Sequence, residues 1–281
     1  MHKFRTDDGV TLAYRLEGAG LPLLALAGLT RDGRDFDYLA PNLPADTMLI
    51  RLDSRGRGGS DWAPHATYSV GQEVLDALAL LDHLGIGRAA ILGSSRGGLL
   101  GLVIAATARH RLLGLCLNDV GPVLEREGLL RIGSQIGVEP SVPTLADLAE
   151  QLPLAMPGFQ AVPKLRWHEE AARHYVQHAG RVGLTYDPAL RQSFEAAMAA
   201  PLPELWPLFD ACAGLPLALI RGAASDVLSR ATAEEMRRRR PDLAFAEIAD
   251  RGHIPFLDEP AAVDLVHRWL ELVRAERDAA G

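Results

Sequence analysis

A hydroxyl, an imidazole and a carboxylate can together cleave an acyl bond, and this chain offers all three in a suggestive arrangement. Ser95 stands in Gly93-Ser94-Ser95-Arg96-Gly97-Gly98, between a short apolar run at 88–92 and a longer one at 99–108. A serine hydroxyl is a weak nucleophile unless it is exposed, set near a base and faced by donors that can hold an oxyanion. A sharp strand-to-helix turn provides the exposure, and it demands near-absent side chains two positions either side of the serine. Gly93 and Gly97 meet that demand, so Ser95 is the predicted nucleophile. The same pattern also suits an ordinary helix start, whose serines cap and whose glycines pack closely. Context must decide.

The sites of open parallel sheets lie beyond the carboxyl ends of the strands, so a base and an acid are sought in loops after later strands. Ala223-Ala224-Ser225-Asp226 follows the apolar run 215–221, and Asp250-Arg251-Gly252-His253-Ile254-Pro255 follows 243–248. The chain order Ser95, Asp226, His253 is the one expected when the serine sits in such a turn. His253 would accept the Ser95 proton and return it to the leaving group, while Asp226 would fix the imidazole tautomer. Asp119, which ends the strand after the nucleophile helix, is a second place from which the acid can come.

The elements that must position these residues can be read in order. Residues 2–5 and 10–17 are predicted as short strands, 21–27 and 47–52 as strands buried on both faces, and 88–92 and 112–118 likewise. Asp35 to Leu43 reads as helical, and Asp53 to Asp61 as a glycine-rich loop. Ser69-Val70-Gly71-Gln72 and Thr232-Ala233-Glu234-Glu235 read as capping boxes opening two helices. Buried strands alternating with helices predict an α/β fold, a mostly parallel eight-stranded sheet with helices on both faces. The alternation stops after residue 121 and returns after about 206. Helices are expected at 144–152, 165–179, 188–199 and 203–212. The predicted division is therefore a core of 1–121 and 207–281 and an inserted helical cap at 122–206, within one domain.

Composition bounds the partners. The 281 residues are 48% hydrophobic and 23% charged, with a net charge of -7, which points away from nucleic acid and anionic membranes. The basic run Arg237 to Arg240 ends a predicted helix before Pro241, where cations suit the helix dipole. Cys116 and Cys212 make no disulfide framework and lack metal-ligand spacing with histidine. The first residues are polar and no apolar run reaches a membrane span, so the expectation is a cytoplasmic protein acting on a small molecule. No cofactor and no metal is called for, and the oligomeric state is open.

Three further motifs carry a family resemblance. Asp53-Ser54-Arg55-Gly56-Arg57-Gly58-Gly59-Ser60 is similar to the Asp-x-Arg-Gly-x-Gly-x-Ser loop of the helical-cap branch of the α/β-hydrolase superfamily. Gly252-His253-Ile254-Pro255 through Asp258-Glu259-Pro260 resembles its histidine loop, and Ala27-Gly28-Leu29-Thr30 its turn bearing an oxyanion residue. The resemblance covers essentially all of 1–280. It implies an α/β-hydrolase fold, a serine nucleophile and an oxyanion hole built from the backbone N–H groups of Leu29 and Arg96. The chain departs from the pattern at Ala27, where a histidine is usual, and at Arg96, where an apolar or amide side chain is usual.

Arg96 has two readings: its guanidinium pairs with a nearby carboxylate such as Asp53 or Asp119, or it reaches a substrate carboxylate. Gly28, Leu29, Thr30 and Ile254 adjoin the catalytic loops and are expected at the substrate pocket, and Trp167 is a pocket candidate from the cap. His168, His174 and His178 lack acidic or cysteine companions in a strict ligand pattern and are expected at the surface. The predicted function is a cofactor-free serine hydrolase of carboxylic esters or lactones working through an acyl-enzyme. A C–C bond hydrolase or perhydrolase on the same triad, and a non-catalytic ligand-binding protein, are the alternatives. Dehalogenase and epoxide-hydrolase chemistry need a carboxylate where Ser95 stands.

Overall fold

The computed structural model describes residues 1–279. Its first strands are β1 (His2–Arg5), β2 (Thr11–Glu17), β3 (Leu21–Leu26) and β4 (Thr47–Leu52), followed by helix α1 (Val70–His83). Next come β5 (Ala89–Ser94), α2 (Arg96–Thr107) and β6 (Leu112–Asn118). After β6 the chain forms α3 (Arg126–Gln135), α4 (Leu145–Ala155), α5 (Lys164–His174), the hairpin β7 (Tyr175–His178) and β8 (Arg181–Leu184), α6 (Leu190–Met198) and α7 (Trp206–Asp210). It closes with β9 (Leu217–Gly222), α8 (Arg230–Arg239), β10 (Ala244–Ile248) and α9 (Pro260–Ala279).

Eight strands make one sheet in the order β1-β2-β4-β3-β5-β6-β9-β10. Pairing is antiparallel from β1 to β2 and from β2 to β4, and parallel from β4 onward. β5, β6 and β9 are buried along their whole length, as strands covered on both faces must be. One face packs under α1, α2 and α8 through residues such as Leu80, Leu100, Ile104 and Met236. The other packs under α9 through Leu265, Val266, Trp269 and Leu270. The carboxyl ends of β3, β5, β6, β9 and β10 thus share one rim.

Several local expectations are corrected. The Ser69 side chain does accept from the Gln72 N–H, at 3.2 Å. The second cap lies earlier than expected: Ser229, not Thr232, caps α8, accepting from the Thr232 N–H. Asp35 to Leu43 holds only two short 3-10 turns, Gly33–Phe36 and Ala40–Asn42. The helix expected at 165–179 stops at His174, because Tyr175–His178 pairs with Arg181–Leu184 around Gly180, which has φ +73°. The long segment between β6 and β9 starts and ends at neighbouring points, since the Leu205 N–H donates to the Pro122 carbonyl at 2.7 Å.

Candidate active site

The turn between β5 and α2 is sterically dictated. Ser95 sits at φ +49°, a conformation that strains any residue with a Cβ and that persists where the surroundings over-determine it. A Cβ on Gly93 would lie 2.4 Å from the Gly97 carbonyl carbon, and one on Gly97 would lie 2.0 Å from the Leu26 carbonyl oxygen. Both glycines are therefore spaces into which backbone packs. The Ser95 N–H donates to the Asn118 carbonyl at 2.9 Å, and the Ser95 carbonyl accepts from Gly98 and Leu99.

The loop after β10 brings His253 to this turn. Its Nε2 lies 2.8 Å from Ser95 Oγ, and its Nδ1 lies 2.7 Å from Asp119 Oδ2. A carboxylate at Nδ1 keeps the proton on that nitrogen and leaves Nε2 as the acceptor for the serine hydroxyl. Asp119 is fully buried. Besides His253, Oδ2 accepts from the Ser225 hydroxyl at 2.6 Å, and Oδ1 accepts from the Gly222 N–H at 2.8 Å.

The acid facing His253 is thus Asp119, from the end of β6, and the expectation for Asp226 is corrected. Asp226 turns instead to Arg131 of α3, whose Nε and Nη2 donate to it at 2.5 and 3.0 Å. Burial opposes the charge on Asp226, but Arg131 outweighs it and holds the carboxyl below its ordinary range. The end of β9 and the loop after it do serve the site, through the Gly222 N–H and Ser225, which position Asp119. The signal for Asp119 in the sequence is its place one residue past the strand that adjoins the nucleophile strand.

The turn after β3 closes the other side. A Cβ on Gly28 would lie 3.8 Å from the Ser95 Cβ, and the Leu29 carbonyl accepts from Arg57 Nε at 2.7 Å. Arg57 is itself buried and donates from Nη1 to Glu73 of α1 at 2.9 Å. Arg96 donates to the same carboxylate from Nε and Nη2, at 2.8 and 3.0 Å, and to the Tyr68 carbonyl at 3.1 Å. Glu73, which carries no signal of its own in the sequence, is therefore the partner of Arg96 in place of Asp53 or Asp119. Burial pushes its carboxyl up, but the two guanidinium groups more than offset this and keep it below the ordinary range. One buried carboxylate so holds Arg96 directly and the Leu29 carbonyl through Arg57.

A cavity of about 230 Å³ opens over Ser95 and His253. Gly28, Leu29, Thr30 and Ile254 line it from the core, and Arg131, Ile132, Leu152 and Tyr186 from the segment between β6 and β9. Trp167 does not line it. Its ring packs edge-on against Phe159 and Phe256, in a small core with Leu148, Leu152 and Ala171 that holds α4 on α5. His174 is not at the surface either: it is buried, with Nε2 3.2 Å from both Asp35 and Glu170. Among the described residues, no group of three or more His, Cys, Asp or Glu is placed to hold a metal ion, and no helix is long and apolar enough to cross a membrane.

With this geometry in hand, comparisons with known proteins agree on one family. A model described as the alpha/beta hydrolase family matches residues 23–264. The chain is 35% identical over 256 residues to a 3-hydroxybutyrate-oligomer hydrolase of Cupriavidus necator, covering 88% of this chain and 87% of that one. It is 24% identical over 252 residues to a 2-(acetamidomethylene)succinate hydrolase of Mesorhizobium japonicum, covering 89% and 87%. The crystal structure of an alpha/beta hydrolase from Novosphingobium aromaticivorans superposes with a TM-score of 0.90 at 37% identity, covering 96% of this chain and 97% of that one.

Proposed function

Because the chain belongs to the alpha/beta hydrolase family, we propose that it is a serine hydrolase of carboxylic esters that works through an acyl-enzyme on Ser95. The observation that carries this reading is the relay Ser95–His253–Asp119, with contacts of 2.8 and 2.7 Å. Ser95 Oγ adds to the ester carbonyl carbon as its proton passes to His253 Nε2. Asp119 holds the imidazole in the tautomer that can accept this proton, and stabilises the imidazolium that results. The carbonyl oxygen becomes an oxyanion, met by the backbone N–H groups of Leu29 and Arg96. Donors already aimed at that charge are worth about a hundredfold or more in rate. Collapse breaks the ester C–O bond, and His253 protonates the departing alkoxide. A water then repeats the sequence on the acyl-enzyme and frees the acid.

In this reading residues 122–206 are the cap, and the cavity between it and the sheet selects the substrate. The relative named for 3-hydroxybutyrate oligomers supports esters of short hydroxy acids, which are linked by the bond this site is built to cleave and end in a free carboxylate. The test is labelling with a fluorophosphonate, followed by a panel of short 4-nitrophenyl esters, lactones and hydroxybutyrate oligomers. Labelling that maps to Ser95 and disappears in Ser95→Ala, with turnover of esters, is expected. Folded protein that neither labels nor turns over any ester would refute the reading and favour a ligand-binding role.

A further inference from the structure

The catalytic relay leaves Asp226 and its partner unused, yet Arg131 lines the cavity that contains Ser95 and His253. Its position is set by close backbone packing. Gly128, one turn earlier on α3, is so near the loop after β9 that a Cβ there would lie 2.0 Å from the Asp226 carbonyl oxygen. The Glu125 N–H donates to the Val227 carbonyl at 2.9 Å, fixing the start of the same helix to the same loop. Residues three apart share a helix face, so Arg131 follows Gly128 onto that face and meets the Asp226 side chain.

The geometry of the pair matters. Asp226 takes the Nε–Nη2 edge of the guanidinium fork. Arginine carries five N–H donors, so the outer Nη1–Nη2 edge remains for a second acceptor. The other arginines of the site are engaged differently. Arg57 and Arg96 converge on Glu73, and the Nη1 of Arg31 lies between Asp35 and Glu170 at 3.6 and 3.5 Å. Arg131 has one carboxylate, held on one edge. Ile132, Ile136, Leu148 and Leu152 share the cavity lining with the neutral amides Gln135 and Gln151, and with the Arg131 side chain 30% exposed a charge-assisted fork to a carboxylate is partly shielded from solvent.

We propose that Arg131, braced by Asp226, is the anchor for a free carboxylate on the substrate, so that this site favours esters that carry an ionised carboxylate on either the acyl or the alcohol half. The inference rests on the serine-hydrolase reading and narrows it to anionic esters. A bidentate contact of this kind is worth about tenfold to a hundredfold in binding.

Two matched pairs of esters test it: 4-(butanoyloxy)benzoate against 4-(butanoyloxy)benzamide, and mono-4-nitrophenyl glutarate against its terminal primary amide. The amide copies the carboxylate in size without the charge, and the pairs place the charge on the alcohol and on the acyl half. Wild type is expected to show a KM at least about tenfold lower for the carboxylate member of one pair, falling off with added salt. In Arg131→Met that ratio should collapse to near one. Arg131→Lys, which keeps the charge but not the fork, should fall between, and the ordering of the three proteins separates recognition from a general loss of structure. Equal KM values within both pairs for wild type, or an unchanged ratio in Arg131→Met, would overturn the anchor while leaving the hydrolase standing. Cleavage of none of the four esters would overturn the anchor if Ser95 still labels with fluorophosphonate, and would remove the ester reading as well if folded protein neither labels nor turns over any other ester.

Discussion

Replacing Asp119 by asparagine separates the two acids that this chain holds near its histidine. The substitution changes one atom of a fully buried group, and the outcome follows from which of its neighbours can adapt. Oδ1 faces the Gly222 N–H at 2.8 Å, a backbone donor that cannot become an acceptor. Oδ2 faces His253 Nδ1 and the Ser225 hydroxyl, both of which can reverse their roles. The oxygen of the introduced amide would therefore take the place of Oδ1, and its NH2 would donate to His253 Nδ1. The imidazole proton then moves to Nε2 and points at Ser95, and the base is lost without loss of the fold. A wrong tautomer of this kind costs about 10⁴-fold in kcat, or about 5 kcal/mol of transition-state stabilisation. The assay is steady-state hydrolysis of a short 4-nitrophenyl ester, run beside Asp226→Asn, which should stay within about tenfold of wild type because Asp226 faces Arg131. Should the two variants exchange these results, the assignment of the acid is wrong. An Asp119→Asn enzyme of nearly full activity would show that the observed relay is not the catalytic one.

Other consequences can be measured on the same preparation. Glu73→Gln removes the single carboxylate between two guanidinium groups. It should lower stability in urea unfolding by about 3 kcal/mol or more, and should slow fluorophosphonate labelling of Ser95 as Leu29 and Arg96 lose their common tether. Gly97→Ala puts a methyl group 2.0 Å from the Leu26 carbonyl oxygen, so the start of α2 must shift and kcat should fall at least about tenfold; a variant of unchanged kcat would mean the elbow tolerates that shift. Glu170, buried beside His174 and Arg31, has its carboxyl brought down from 4.5 to about 2: burial raises it, and the His174 hydrogen bond and neighbouring charges prevail. A carboxyl depressed in the folded state stabilises above its unfolded pKa and loses that contribution as pH falls towards the folded one. The stability of wild type should therefore decline between about pH 4.5 and pH 2 more steeply than that of Glu170→Gln, read as unfolding midpoints against pH.

The sheet, the turn that carries Ser95 and the loop that carries His253 are legible in the sequence because each rests on a local rule. Gly93 and Gly97 are required by contacts within a few residues of Ser95 or with the adjoining strand, and His253 lies in the loop after the last strand, β10. The acid is harder to read because two loops, after β6 and after β9, end beside the same imidazole. Which carboxylate reaches it depends on Arg131, 95 positions from Asp226 in sequence, which draws Asp226 aside. Glu73 stays hidden for the same reason: it reads as one polar position of an amphipathic helix, and only the fold sets it between Arg57 and Arg96. Trp167 and His174 lie on α5, whose helical spacing is visible, but the direction each faces depends on Phe256 and Asp35 from distant loops. Strand β7 reads as the tail of a helix, although Tyr175 and Val176 favour extended backbone and Gly180 supplies the turn to β8.

The contact between Leu205 and Pro122 has an evolutionary consequence. A stretch whose two ends already touch can be lengthened, shortened or exchanged without pulling on the strands that flank it, and the entropic cost of a longer loop grows only slowly with its length. Residues that shape the pocket from that stretch are thus free to diverge while the reactive rim stays fixed. One scaffold can take up new substrates by rewriting a single excursion of the chain, and transplanting that excursion between relatives becomes a practical way to redesign selectivity.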